Sequence, residues 1–144
     1  MSISIVPAKL HDVWLVVPAG AVQEILGEQA WVPIAGAPAE MPGVIVWRGR
    51  AVAVLDMAPL MSGGAPLAVG ERRRRTIVVG VDGATFALPV DAVREVQELP
   101  DDAQRPAQLT RLRHATMELE LDGVPMPVVD LADVVRVLAP ATAA

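Results

Sequence analysis

One pattern, P-x-x-A-V-x-E-(I/V), occurs twice in this chain. It stands at 18–25 within VVPAGAVQEIL and again 71 residues later at 89–96 within ALPVDAVREVQ. A second pair follows in the same order, GRAVAVLDMAPL at 49–60 and GVPMPVVDLADV at 123–134. In each, a glycine (Gly49, Gly123) stands seven residues before an aspartate (Asp56, Asp130). Two copies are too few for a stacked repeat array, which needs about three units. The repeat therefore predicts a duplicated subdomain packed on its twin.

With 144 residues, 53% of them hydrophobic, the chain is domain-sized and has ample material for a core. That core is drawn from Val, Leu, Ile and Ala, with no Tyr, a single Phe and three Trp. Valine-rich runs bounded by Pro and Gly point to strands. Cysteine is absent, which excludes disulfides, thiol nucleophiles and thiolate metal sites. The two histidines, His11 and His114, lie in polar turns and read as solvated. The sequence therefore implies no metal, no cofactor and no enzyme. A net charge of −5 argues against nucleic acid. The Arg72–Arg75 run lacks accompanying aromatics or glycines and reads as the solvated end of a loop. No apolar run approaches the ~18 residues of a spanning helix, and residues 1–12 lack the features of a secretory signal. No direct membrane insertion is implied, and the cytoplasm is the expected compartment.

Ser2–Val6 and Val13–Val17 read as a hairpin, and Ala19–Leu26 as a turn or single helical turn, with Val22, Ile25 and Leu26 at helical offsets. Residues 33–43 form a proline-rich ordered loop. Val44–Trp47 and Ala51–Leu55 are strands joined at Arg48-Gly49, where glycine adopts positive φ without penalty. Asp56 is placed to cap a short helix, and residues 62–70 read as a flexible loop between the copies. The second copy repeats the plan, with strands at 76–81 and 85–89 around Asp82-Gly83. Met117–Asp122 alternates Leu inward and Glu outward, Asp122-Gly123 makes a turn, and Asp130 caps a C-terminal helix with an apolar stripe. Strands this short curl into small barrels, which removes exposed edges.

The chain resembles the CheW-like domain family. The likeness runs from Val17-Pro18 to Glu24-Ile25, through the loop from Pro33 to Pro42, to Gly43–Gly49 and Leu55-Asp56. It continues in GVDGATFALPVDAVREV (80–96) and DGVPMPVVDL (122–131), so that it spans residues 3–138. The resemblance implies an all-β fold of two pseudo-twofold-related five-stranded SH3-like β-barrels with short helices, including a C-terminal helix. As a single domain over 1–144, the chain is expected to place its first barrel at about 14–70. The second barrel is expected at about 71–138, joined by the N-terminal strand, with a tail at 139–144. The implied function is a non-catalytic, stand-alone adaptor. It would couple the cytoplasmic tip of methyl-accepting chemoreceptors to the regulatory domain of a CheA-type histidine kinase, recruited to membrane receptor arrays. The alternative is the same adaptor role in a non-flagellar system such as type IV pilus signalling.

The resemblance links Glu24 and Arg48 to receptor and kinase coupling, and Val22, Trp47 and Gly49 around them complete the expected partner-binding residues. Arg48 is an odd choice for a turn, since the residue before the glycine of a two-residue hairpin is usually Asn or Asp. It is expected to pair with Glu24, where its planar fork can hold a carboxylate. The alternative is a routine surface ion pair. Val22 is either core or part of an apolar receptor groove, and Gly49 is a conformational requirement of the turn. The family often has Asn where this chain has Val46 and Leu where it has Trp47. The indole therefore either enlarges an apolar patch beside the turn or fills the core. Arg48-Gly49 in one copy faces Asp122-Gly123 in the other, so the hairpin-tip charge is reversed between the twins.

Overall fold

The computed structural model describes residues 2–62, 64–107 and 113–142. The first copy contributes β1 (Ser2–Leu10), β2 (Val13–Pro18), β3 (Val22–Leu26), β4 (Val32–Pro33), β5 (Gly43–Trp47), β6 (Arg50–Val54) and helix α1 (Met57–Ser62). The second copy contributes β7 (Arg75–Val81), β8 (Ala84–Val90), β9 (Ala92–Val93), β10 (Gln97–Pro100), β11 (Arg105–Pro106), β12 (Met117–Leu121), β13 (Val124–Val128) and helix α2 (Leu131–Thr142).

These strands form two sheets of matching order, β3-β7-β8-β6-β5-β4 and β10-β1-β2-β13-β12-β11, with β9 beside β1. Among the described residues each sheet has five principal strands and a two-residue strand at one edge, β4 or β11, and the two-residue β9 makes the second sheet seven-stranded. Neither sheet belongs to one copy. Hairpin β1–β2 of the first copy completes the sheet of the second, and hairpin β7–β8 of the second completes the sheet of the first. Both junctions are parallel and hold equivalent positions in register, Val54 beside Ala87 and Val128 beside Val16. The next amides repeat the symmetry. Leu55 N–H donates to Ala87 O at 2.8 Å and Val129 N–H to Val16 O at 3.0 Å.

This exchange corrects the barrel boundaries expected from the sequence. The first barrel comprises strands within 22–54 and 75–90, and the second comprises strands within 2–18 and 92–128. The physical reason lies in the exchanged hairpins, whose residues are buried on both faces. Val78 and Ala87 point into the first barrel with Trp31, Ile45, Trp47, Val52 and Val54. Their neighbours Ile77, Val79 and Leu88 point into a larger core between the barrels, shared with Leu15, Val17, Leu55, Met57 and Leu131. In the other hairpin, Ile5 and Val16 fill the second barrel with Leu119, Leu121 and Met126. A strand covered on both sides reads as a continuous apolar run, and sequence order does not say which barrel it closes. Each such Leu, Ile or Val stabilises by about 1.5–3 kcal/mol on burial, so the interbarrel core binds the two halves into one unit.

Two local expectations also change. Ala19–Ala21 forms a 3-10 turn, but Val22–Leu26 is a strand, because pairing with β7 overrides the helical spacing of its apolar residues. The segment between the copies, expected to be flexible, is fastened at several points. Gly64 N–H donates to Ala58 O at 3.1 Å and Trp31 Nε1–H to Glu71 O at 2.7 Å, while Leu67 is buried in the first barrel. Asp56, itself buried, accepts from Ala58 N–H at 3.3 Å and Leu67 N–H at 2.6 Å, so it caps α1 and pins this segment together. Its burial pushes the carboxyl pKa up, against the pull of those two donors. Asp130 plays the simpler role for α2, accepting from Asp133 N–H at 3.0 Å at an exposed position.

Candidate partner-binding site

Three two-residue hairpins share one turn geometry. Arg48-Gly49, Asp82-Gly83 and Asp122-Gly123 have φ of 50° and 74°, 51° and 81°, and 51° and 77°. Both residues of such a turn have positive φ, which Asp and Gly tolerate and a long side chain resists. Two of the three turns follow that preference. Arg48 departs from it, at a cost on the order of 1 kcal/mol, so another property of arginine is used there.

That property is its reach. The Arg48 guanidinium donates through NH2 to Glu24 Oε1 at 2.9 Å and lies 4.6 Å from the centroid of the Trp47 ring. The same carboxylate oxygen accepts from Trp47 Nε1–H at 3.3 Å. Glu24 reaches this point because β3 carries a bulge. Val22 pairs with Val79 and Glu24 with Val78, leaving Gln23 as the extra residue. The ion pair expected from the sequence forms, but through a single nitrogen–oxygen contact; the second donor to Glu24 Oε1 is the indole.

The arrangement is a weak stabiliser. The side chains of Arg48 and Glu24 are 67% and 35% exposed, and a pair so wetted contributes about 0–1 kcal/mol. Stacking on Trp47 adds about 0.5–1 kcal/mol. Its effect is geometric: it holds a cation at the tip of β5–β6 with its outer face open to solvent. Trp47 itself is buried within the first barrel. It fills the core and positions Glu24 and Arg48, and does not enlarge an exposed patch. Val22 is partly buried against the interbarrel core. Gly49 serves the turn.

The second barrel builds a bridge at the same place with polarity reversed. Here the hairpin tip supplies the carboxylate, Asp122, and the strand region after β9 supplies Arg94, at 3.4 Å. Arg94 stacks 4.3 Å from the Trp14 ring centroid. The sequence shows the reversed tip charge, but the strand-side residue is Arg94 and not Glu95, the counterpart of Glu24.

Other polar groups depart from their sequence reading. Arg73 is buried, with NH1 3.4 Å from Asp91 and NH2 3.4 Å from His11 Nε2, whereas Arg72, Arg74 and Arg75 are exposed. His114 is also largely buried, its Nδ1 2.7 Å from Asp133 Oδ2, and Asp133 is further held by Arg136. These contacts, the His114 hydrogen bond foremost, hold the Asp133 pKa below the usual carboxylate range. Among the described residues no three His, Cys, Asp or Glu side chains converge on a metal-sized site. No helix among them is long and apolar enough to cross a membrane.

Residues 5–139 match the family model of the CheW-like domain. Among solved structures, the scaffolding protein TtCheW from Thermoanaerobacter tengcongensis is similar, with a TM-score of 0.77 and 21% identity. The match covers 90% of this chain and 89% of that one, and at this identity it bears on the fold. No curated protein matches the chain.

Proposed function

The chain belongs to the CheW-like domain family, and we propose that it is a non-catalytic adaptor joining a chemoreceptor's cytoplasmic tip to the regulatory domain of a CheA-type histidine kinase. The observation that carries this reading is the Glu24–Arg48–Trp47 arrangement at the β5–β6 tip. An arginine is held there in a backbone conformation unfavourable to it, in an ion pair too exposed to matter for stability. Those costs make sense where the guanidinium serves a partner. The reversed bridge at Arg94–Asp122 supports two unlike ends for two unlike partners, since complementary charge governs encounter and register. Val22 and Gly49 belong to this surface through the strand and turn that present it.

Work at the cytoplasmic face of receptor arrays follows from these partners. Flagellar chemotaxis is the first assignment and type IV pilus signalling the second. Transient contacts of this kind bury about 1,200 Å² or less and hold with roughly micromolar affinity, and multivalent assembly supplies the rest. The test is receptor pull-down and kinase activation with Arg48→Ala and Glu24→Ala. Both variants are expected to fold and to lose coupling; normal coupling in folded variants would overturn the assignment.

A further inference from the structure

This acidic chain supplies several of its arginines with its own carboxylates. Arg48, Arg73, Arg94, Arg105 and Arg136 each stand 3.6 Å or less from one. Arg72, Arg74 and Arg75 do not, although all 17 Asp and Glu lie among the described residues. The carboxylate next to them in sequence, Glu71, is drawn back onto Ala68 N–H at 3.0 Å. Three neighbouring cations are thus left exposed, and their like charges repel with no carboxylate of the fold beside them.

The run is held in place from both sides. Before it, Trp31 Nε1–H donates to Glu71 O at 2.7 Å, and at its end Arg75 stands opposite Val90 at the start of β7. Between these points the Arg73 side chain is 4% exposed, with Asp91 and His11 each 3.4 Å away. An inward Arg73 leaves Arg72 and Arg74 on the solvent side. A backbone already fixed lowers the ordering cost of binding. Just upstream, a turn closed by Glu71 N–H to Ala68 O at 2.9 Å lifts Val69 into solvent, 78% exposed. Its Cα lies within about 11 Å of that of Arg72 by chain length alone.

We propose that Arg72, Arg74 and Arg75, with Val69 beside them, form a docking site for a short acidic segment of another protein that carries carboxylates around one aliphatic side chain. Charge complementarity selects the carboxylates, which guanidinium forks hold by paired, charge-assisted hydrogen bonds. From Arg72 to Arg75 the backbone spans about 10 Å at the rise of a strand, so an extended segment of similar length meets both ends. Broad polyanions fit less well. A nucleic-acid duplex or an anionic membrane would face the whole chain, whose net charge is −5 with these three cations counted. A short segment meets the patch alone, within a screening length of about 10 Å. The inference stands on this run alone and does not require the receptor–kinase reading.

The test uses the whole protein and two fluorescein-labelled peptides with one central Leu, flanked by Glu in the first and by Gln in the second. Binding is read by fluorescence polarisation at low salt and mapped by amide chemical shifts. The Glu peptide is expected to bind at micromolar concentrations, to shift residues 68–76, and to bind about tenfold tighter than the Gln peptide. The triple variant Arg72→Gln, Arg74→Gln, Arg75→Gln is expected to weaken it about tenfold. Its melting temperature should be unchanged, and should it fall, the two peptides on the wild type still decide. Equal binding of both peptides, undiminished binding to the folded triple variant, shifts confined to other residues, or no binding at all would each overturn the proposal. So would tighter binding to phosphatidylserine vesicles or duplex DNA, or a wild-type dimer that the triple variant dissolves.

Discussion

Asp56→Ala and Asp130→Ala form a matched pair, because the two aspartates occupy equivalent positions and cap equivalent helices in opposite surroundings. Asp56 is buried and also receives the Leu67 amide at 2.6 Å, whereas Asp130 is exposed and receives the Asp133 amide within its own helix. Removing an exposed cap costs about 1 kcal/mol. Removing Asp56 loses its cap and strands the buried Leu67 N–H, and a stranded buried donor costs about 1–3 kcal/mol by itself. Relief of the buried charge, visible in the raised carboxyl pKa, offsets part of this. The expected loss is about 3 kcal/mol for Asp56→Ala, or about 10 °C in melting temperature for a chain of this size. For Asp130→Ala it is about a third of that. Urea denaturation of both variants reads the difference directly. Equal losses would mean that the pinning of the segment between the copies contributes nothing.

Gly43→Ala would place a Cβ 2.0 Å from Val32 O and 2.8 Å from Trp31 Cε3, prising β4 from β5. A loss of about 1–3 kcal/mol in urea is expected, with amide exchange accelerated at Val32 and Val44. A double-mutant cycle of Arg48→Ala and Glu24→Ala is expected to show a coupling below about 1 kcal/mol in stability; a larger value would make the pair structural. The depressed pKa of Asp133 predicts an acid-labile contribution. A lowered carboxylate pKa stabilises above the unfolded value, and the gain is lost as pH falls through the folded one. Asp133→Asn should therefore lower the urea midpoint at neutral pH and converge on the wild type in acid. For Asp56 the sign is opposite: its raised pKa makes its ionisation oppose folding as pH rises through the carboxylate range.

The duplication was legible in the sequence because the turns and caps recur with their chemistry intact. Gly49 and Gly123 occupy positive φ, and Asp56 and Asp130 cap α1 and α2. The alternation of Met117–Leu121 gave Leu119 and Leu121 inward, as found. The exchange of β1–β2 and β7–β8 between barrels was not legible, because a strand buried on both faces carries no mark of which sheet it completes. The burial of Arg73 and His114 was missed for a related reason. Their partners Asp91 and Asp133 lie 18 and 19 residues away, and only the packing of the chain between them brings them together. At the hairpin tip the sequence exposed Arg48 as a misfit and named Glu24. The indole as second donor and the bulge at Gln23 emerge only with β3 paired to β7.

An adaptor with two unlike ends bridges two unlike proteins. The bridging is measured most directly by light scattering on chromatographed mixtures of this chain, a receptor cytoplasmic tip and the kinase's regulatory domain. A ternary complex is expected that forms only when this chain is present and fails with folded Arg48→Ala. Separate species at high micromolar concentrations of all three proteins would contradict it.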